Sequence, residues 1–74
     1  MKGEQLHFIA SVEEDRVNDI RSIAAKLEAM GCAIESVFAF SGIITGSTIK
    51  KLSLKQLKID GIKHVEKAKE VRAI

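Results

Sequence analysis

The order in which two hydrophobic periodicities alternate along the chain limits its fold more than any other sequence feature. Over residues 5–12, apolar side chains occupy every second position, as in a strand with one buried face. These residues are Leu6, Phe8, Ala10 and Val12. Over residues 17–27 the apolar side chains recur at helical spacing instead, at positions 17, 20, 23, 24 and 27. The acidic run 13–15 suits the start of this helix, and Gly31 suits its end.

The next segment predicts two strands joined as a hairpin. In the strand predicted at 32–40, the step of three from Ile34 to Val37 breaks strict alternation and predicts a bulge near Glu35 and Ser36. The turn signal at residues 41–42 brings back a strand over residues 43–48. Gly46 inside that strand indicates a bulge or a close backbone approach.

A second helix and a last strand complete the pattern. The helix is predicted at 49–58, with Ile49, Leu52 and Leu57 on its inner face. Both Thr48 and Ser53 are candidates for its N-cap. A turn at residues 60–61 then leads to a strand at 62–69, in which position 65 is the expected buried residue, and residues 70–74 form a tail.

The element order β-α-β-β-α-β predicts an α+β fold. Right-handed crossovers place both helices on one face of a four-stranded antiparallel sheet, which is the ferredoxin-like βαββαβ plait. At 74 residues, the chain 1–74 is expected to be a single domain. Apolar side chains on the other face of such a sheet would need a partner, so the pattern predicts a binding module.

Composition restricts where such a domain works. A single cysteine, Cys32, cannot form an internal disulfide, and it is expected to be a small buried residue. The N-terminus has no signal-peptide pattern, and no apolar run approaches the roughly 20 residues of a membrane span. We therefore expect a cytoplasmic protein with no membrane partner.

The sequence contains no recognisable set of catalytic or cofactor-binding residues. His7 and His64 fall in different strands, and no cysteine or serine is spaced to pair with either. The first loop lacks the Cys-x-x-Cys of a metal chaperone, and residues 42–47 lack the Gly-Lys-Ser/Thr ending of a phosphate-binding loop. The third strand has no aromatic residue on which an RNA base would stack. We expect no enzyme activity, no cofactor, no metal and no nucleic-acid partner.

Three short stretches resemble the propeptide-like inhibitor domain of subtilisin-type serine proteases. They are Gly31–Phe38, Gly42–Gly46 and Gly61–Glu66, the last being similar to that family's Gly-Val-x-x-Val-Glu strand. The resemblance follows the element order over nearly the whole chain. It implies a module that docks on a subtilisin-like protease, with its uncovered sheet face on two protease helices and its C-terminal tail in the active-site cleft.

The same resemblance implies roles for particular residues. Glu66 matches a carboxylate that caps the N-terminus of a protease helix. Phe38, Phe40 and Ile44 are candidates for the docking face, and the alternation leaves open which of them face the helices instead. The tail expected to bind the cleft consists of Val71, Arg72, Ala73 and Ile74.

Two positions depart from that family's pattern. Ala68 stands where a second capping carboxylate is expected, between Lys67 and Lys69. Ile74 is β-branched and would enter a pocket built for long or aromatic side chains. The alternative function is a ligand-sensing or self-associating plait that forms a homodimer through its sheet face or edges.

Overall fold

The computed structural model describes residues 6–49 and 52–68, which form an α+β fold. A four-stranded antiparallel sheet in the order β2-β3-β1-β4 is combined with two α-helices and a 3-10 helix. The elements are β1 (His7–Val12), the 3-10 helix (Glu14–Asp19), α1 (Ile20–Ala29), β2 (Cys32–Phe38), β3 (Ile43–Thr48), α2 (Leu54–Leu57) and β4 (Ile62–Lys67). The predicted order of strands and helices is confirmed.

The first strand organises the sheet from its centre. β1 pairs with β3 on one side and with β4 on the other, while β2 pairs with the outer edge of β3. At the end of β1, the Val12 N–H donates to the Gly42 carbonyl at 2.8 Å and the Glu13 N–H donates to the Gly61 carbonyl at 2.9 Å. The turns that precede β3 and β4 are therefore both fastened to β1.

One hydrophobic core lies between the sheet and the helices. The predicted inward residues of β1, Phe8, Ala10 and Val12, are 1%, 0% and 5% exposed. Leu27 of α1 and Leu57 of α2 are fully buried in the same core. Since both helices contribute to one core with these alternate strand residues, they cover the same face of the sheet.

The bulge predicted in the second strand is confirmed. Ile34 pairs with Gly46 and Ser36 pairs with Thr45, so Glu35 is an extra residue in β2. The bulge restores Val37 to the core-facing side, where it pairs with Ile44.

The first helix begins later than the acidic run predicted. A 3-10 helix, Glu14–Asp19, comes before α1, which starts at Ile20. The predicted end is confirmed: α1 stops at Ala29, and Gly31 follows with φ 110°, a conformation that glycine adopts without a steric penalty.

The second helix is much shorter than the predicted 49–58. Ile49 was expected on its inner face, but its side chain is 67% exposed, and its N–H donates to the Gly31 carbonyl at 2.7 Å. Backbone pairing next to β3 therefore continues through Ile49, and α2 begins only at Leu54. The N-cap is Ser53, whose side chain accepts from the Gln56 N–H while the Gln56 side chain accepts from the Ser53 N–H. Thr48, the other candidate, lies in β3.

Candidate binding face

The sheet face opposite the helices is not covered by any described element, and we call it the open face. Its residues follow from strand alternation, with Glu35 added because its side chain approaches that of His7. They are His7, Ile9 and Ser11 of β1, Ala33, Glu35, Ser36 and Phe38 of β2, Ile43, Thr45 and Ser47 of β3, and His64 and Glu66 of β4.

Cross-strand pairing arranges these side chains in rows. One row, at the β2–β3 turn, runs across the sheet as Phe38, Ile43, Ser11 and His64. The next row is Ser36, Thr45, Ile9 and Glu66. A third row contains Ala33, Ser47 and His7. The open face thus has an apolar corner at the turn, a polar centre, and titratable groups along β1 and β4.

A histidine and a glutamate meet across the third strand. His7 Nδ1 lies 3.8 Å from Glu35 Oε2, although these residues belong to β1 and β2, which are separated by β3. Ser47 of β3 lies in the row with His7 and is only 4% exposed. The contact between His7 and Glu35 therefore spans β3 on the open face, where the buried Ser47 lies in the same row as His7.

A second histidine–glutamate contact lies on the edge strand β4. His64 Nε2 is 3.7 Å from Glu66 Oε1, and both side chains are well exposed. Glu66 pairs with Ile9, so it is the diagonal neighbour of His7 on the adjacent strand. Each histidine on the open face consequently has at least one glutamate as a neighbour.

The apolar corner of the open face continues into the β2–β3 turn. Phe38 is 50% exposed and pairs with Ile43, and Phe40 in the turn itself is 105% exposed. Two phenylalanine side chains in water at one end of a small sheet form an apolar surface of the kind that marks interaction sites.

The predicted docking residues do not share one surface. Ile44 is 0% exposed and faces the helices within the core, so it is removed from the candidate docking face. Alternation decides this outcome, because Ile44 pairs with Ala10 and Val37 on the buried side. Phe38 and Phe40 are exposed and Glu66 lies on the open face, while their binding roles stay predictions. The predicted tail, residues 71–74, lies outside the described residues.

Sequence reasoning missed most of the polar chemistry of this face. Strand alternation puts His7 on the face opposite Phe8, but no local pattern pairs His7 with Glu35, which is 28 positions away. Ile9 and Ile43 were also overlooked, although each alternates with core residues. Each lies between two buried neighbours in the sequence, and this alternation was the signal that could have assigned them to the open face.

The side chain of Cys32 belongs to the core, not to this face. It is 3% exposed, and burial raises the pKa of its thiol. A protonated, enclosed thiol is a poor nucleophile.

We expect the Cys32 thiol to react with an aromatic disulfide reagent far more slowly in the native protein than in urea. Because the thiol pKa is raised by folding, the unfolded state loses its proton first as the pH rises past about 8.5, so the free energy of unfolding should fall there. Stopped-flow absorbance and urea denaturation between neutral and alkaline pH measure the two effects. The variant C32A should lack this contribution to the alkaline loss, and equal thiol reactivity in both states would contradict the burial argument.

None of the helices in the described part of the chain is long and apolar enough to cross a membrane. Within residues 6–49 and 52–68, no three histidine, cysteine, aspartate or glutamate side chains are grouped closely enough to hold a metal ion.

No protein-family model matches the chain, and no match was found among curated proteins or among solved structures.

Proposed function

We propose that the chain is a binding module built on a ferredoxin-like plait, which docks through its open face. The strand order β2-β3-β1-β4 supports the plait, because β1 and β2 run in the same direction with β3 between them and a helical connection joins them. β3 and β4 are related in the same way about β1. This is the arrangement of two split βαβ units.

The observation that carries the proposal is the composition of the open face. Its apolar corner, with Phe38 at 50% and the adjoining Phe40 at 105% exposure, gives a partner surface to desolvate. Glu66 lies on the same face, and its side chain is 60% exposed to water. A carboxylate so placed is available to a positively polarised group such as a helix N-terminus.

The partner we propose is a subtilisin-type serine protease. The resemblance of Gly31–Phe38, Gly42–Gly46 and Gly61–Glu66 to propeptide-like inhibitors motivates this choice. In this mode the open face rests on protease helices and residues 71–74 enter the cleft as an added strand. The module would inhibit the protease without catalysing any reaction itself.

Titration of a subtilisin with the full chain, followed by hydrolysis of a small chromogenic peptide, tests this function. We expect inhibition by the intact protein, its loss on deletion of residues 71–74, and weaker inhibition by E66Q because a helix-capping charge is worth about 0.3–1 kcal/mol at an exposed site. The matched control is E28Q, since Glu28 is an exposed carboxylate on α1. Absence of inhibition at high protein concentration, or full inhibition by the truncated chain, would overturn the mechanism.

Self-association is a second candidate function, favoured by the same exposed phenylalanines. In a symmetric dimer the phenylalanines of both copies would be buried in one interface. The apolar area removed from water would then be twice that of the corner on a single copy. Here the open face is the surface through which two copies meet. Sedimentation velocity over a range of concentrations separates this function from protease binding.

A further inference from the structure

The two edges of the sheet differ in the charge of their strands. β4 forms one edge, and four of its six residues are charged or titratable: Lys63, His64, Glu66 and Lys67. β2 forms the other edge, and Glu35 is the single charged residue among its seven. Charged side chains, lysine above all, keep edge strands from pairing with other chains. Because each of these strands also contains one extra residue, the bulges do not distinguish them, and β2 is the less protected edge.

The backbone groups on the outer side of β2 can be assigned from its pairing with β3. The Ile49 N–H donates to the Gly31 carbonyl, whereas the Thr48 N–H donates to the Leu6 carbonyl on the other side of β3. Since alternate residues of an antiparallel strand face the same neighbour, positions 48, 46 and 44 of β3 face β1. Their partners in β2 therefore direct N–H and carbonyl groups outward, and these are Cys32, Ile34 and Val37.

The bulge at Glu35 does not prevent a regular strand from pairing along β2. On the inner side, β3 pairs with residues before and after the bulge, from Cys32 to Phe38, and needs no extra residue of its own. A regular strand on the outer side can span Glu35 in the same way.

The side chains beside this edge are apolar on both faces of the sheet. On the helix side, Ile34 and Val37 pack against the core and are still partly exposed. On the open face, Phe38 is 50% exposed. A strand added at this edge would cover apolar surface on both faces in addition to pairing the outward backbone groups.

Charge at this edge favours a different chain over a second copy. If β2 paired with itself antiparallel about its middle, the two Glu35 side chains and the two bulges would meet, and like charges in opposite positions are destabilising. The Glu35 side chain is 55% exposed even with His7 at 3.8 Å, so a cation of another chain can reach it. A basic residue on an added strand would turn the same position into an attractive pair.

We propose that the outer edge of β2 binds an extended peptide segment of another protein, which joins the sheet as a fifth, antiparallel strand with apolar side chains on the helix side and a basic residue beside Glu35. Main-chain hydrogen bonds to Ile34 and Val37 supply the pairing, and the side chains select the sequence. This site differs from the open-face docking proposed above, because it uses the edge of the sheet and needs neither a protease nor residues 71–74.

The peptide Thr-Val-Lys-Val-Thr-Val, with blocked ends, serves as the probe. Its valines share one face, and its lysine lies on the other. Titrated into the isotope-labelled full chain and followed by two-dimensional NMR, it should shift the amide signals of β2 most. The outward N–H groups of Ile34 and Val37 should also exchange with solvent more slowly when the peptide is bound, because they become hydrogen-bonded.

N-methylation of the probe tests main-chain pairing without altering the protein. In the proposed antiparallel register, a residue opposite Ile34 or Val37 has its side chain on the helix side, so the valine N–H groups point at β2. Methylation of the valine nitrogens should weaken binding about tenfold or more, because those hydrogen bonds are lost. The matched control carries its methyl groups on the threonine and lysine nitrogens, which point away, and should bind like the parent peptide.

A charge exchange tests the role of Glu35. The probe with glutamate in place of lysine should bind the native chain about threefold more weakly or worse, and the variant E35K should reverse this order of preference. The control E66K changes a carboxylate on the opposite edge strand and should keep the native order.

Each remaining outcome overturns the proposal. Shifts centred on β4, or equal at both edges, would show that β2 is not a selective site. Binding that tolerates methylated valine nitrogens would show adsorption to Phe38 without strand pairing. Absence of any shift at millimolar peptide would remove the site. Self-association that occupies β2 without peptide would make a second copy the partner. Because no protease is present, failure here leaves the open-face proposal standing, and failure of protease inhibition leaves this one standing.

Discussion

Replacing Phe8 with alanine should lower the free energy of unfolding by about 3–5 kcal/mol, the usual cost of deleting a buried phenylalanine side chain. Phe8 is 1% exposed on the central strand, and it belongs to the core shared by both helices. A domain of 74 residues is expected to have roughly 4–11 kcal/mol of total stability. The variant should therefore lose a large fraction of the total stability, as measured by urea denaturation followed by circular dichroism.

Phe38→Ala is the matched control, since it removes the same side chain from a half-exposed position. Phe38 is 50% exposed on the edge strand β2, so its truncation leaves no enclosed cavity and should cost clearly less. Equal losses for the two variants would show that the core is not centred on Phe8. Phe40→Ala, at a fully exposed site, should be nearly neutral.

Adding one methyl group at Gly46 should also destabilise the protein, by about 1–3 kcal/mol or more. A Cβ at this position would lie 2.5 Å from the Ala33 carbonyl oxygen and 3.2 Å from Phe8 Cζ. The first of these is a backbone atom of the paired strand β2, which cannot rotate away. The two strands would have to separate locally to admit the methyl group.

The sign of this effect makes the experiment decisive. Glycine to alanine at a site without steric conflict usually stabilises a protein by about 0.4–1 kcal/mol, because the unfolded chain loses freedom. A stabilised Gly46→Ala variant would therefore refute the close approach. The double variant F8A/G46A should not recover stability, because removal of the ring leaves the contact with the Ala33 carbonyl in place. Thr45→Ala, on the open face of the same strand, serves as a control for general changes in strand propensity.

The strands were predictable because local patterns report directly on them. Alternation in β1 requires only that one face is buried. In β2 the extra residue Glu35 shifts the alternation by one position, and this shift is visible in the sequence. The second helix was misjudged for a non-local reason. Ile49 and Leu52 have helical spacing, but the hydrogen bond from Ile49 to Gly31 connects segments 18 positions apart, and no local periodicity contains it.

The candidate site was predictable only in outline. The sequence alone led us to expect one uncovered sheet face with phenylalanines near a turn. It also nominated Ile44, which alternation in β3 could have assigned to the core had the strand's register with β1 been known. The contact between His7 and Glu35 was out of reach, because it depends on β3 lying between β1 and β2.

The sequence by itself determined the order of the elements, the positions of the turns and the buried face of the first strand, since each depends on residues a few positions apart. Only the tertiary structure decided which strands are neighbours, how far the second helix extends and which side chains share the open face. These properties depend on pairing between distant segments, where the register of one strand against another fixes every side chain at once. The histidine–glutamate contacts on the open face belong to this second group.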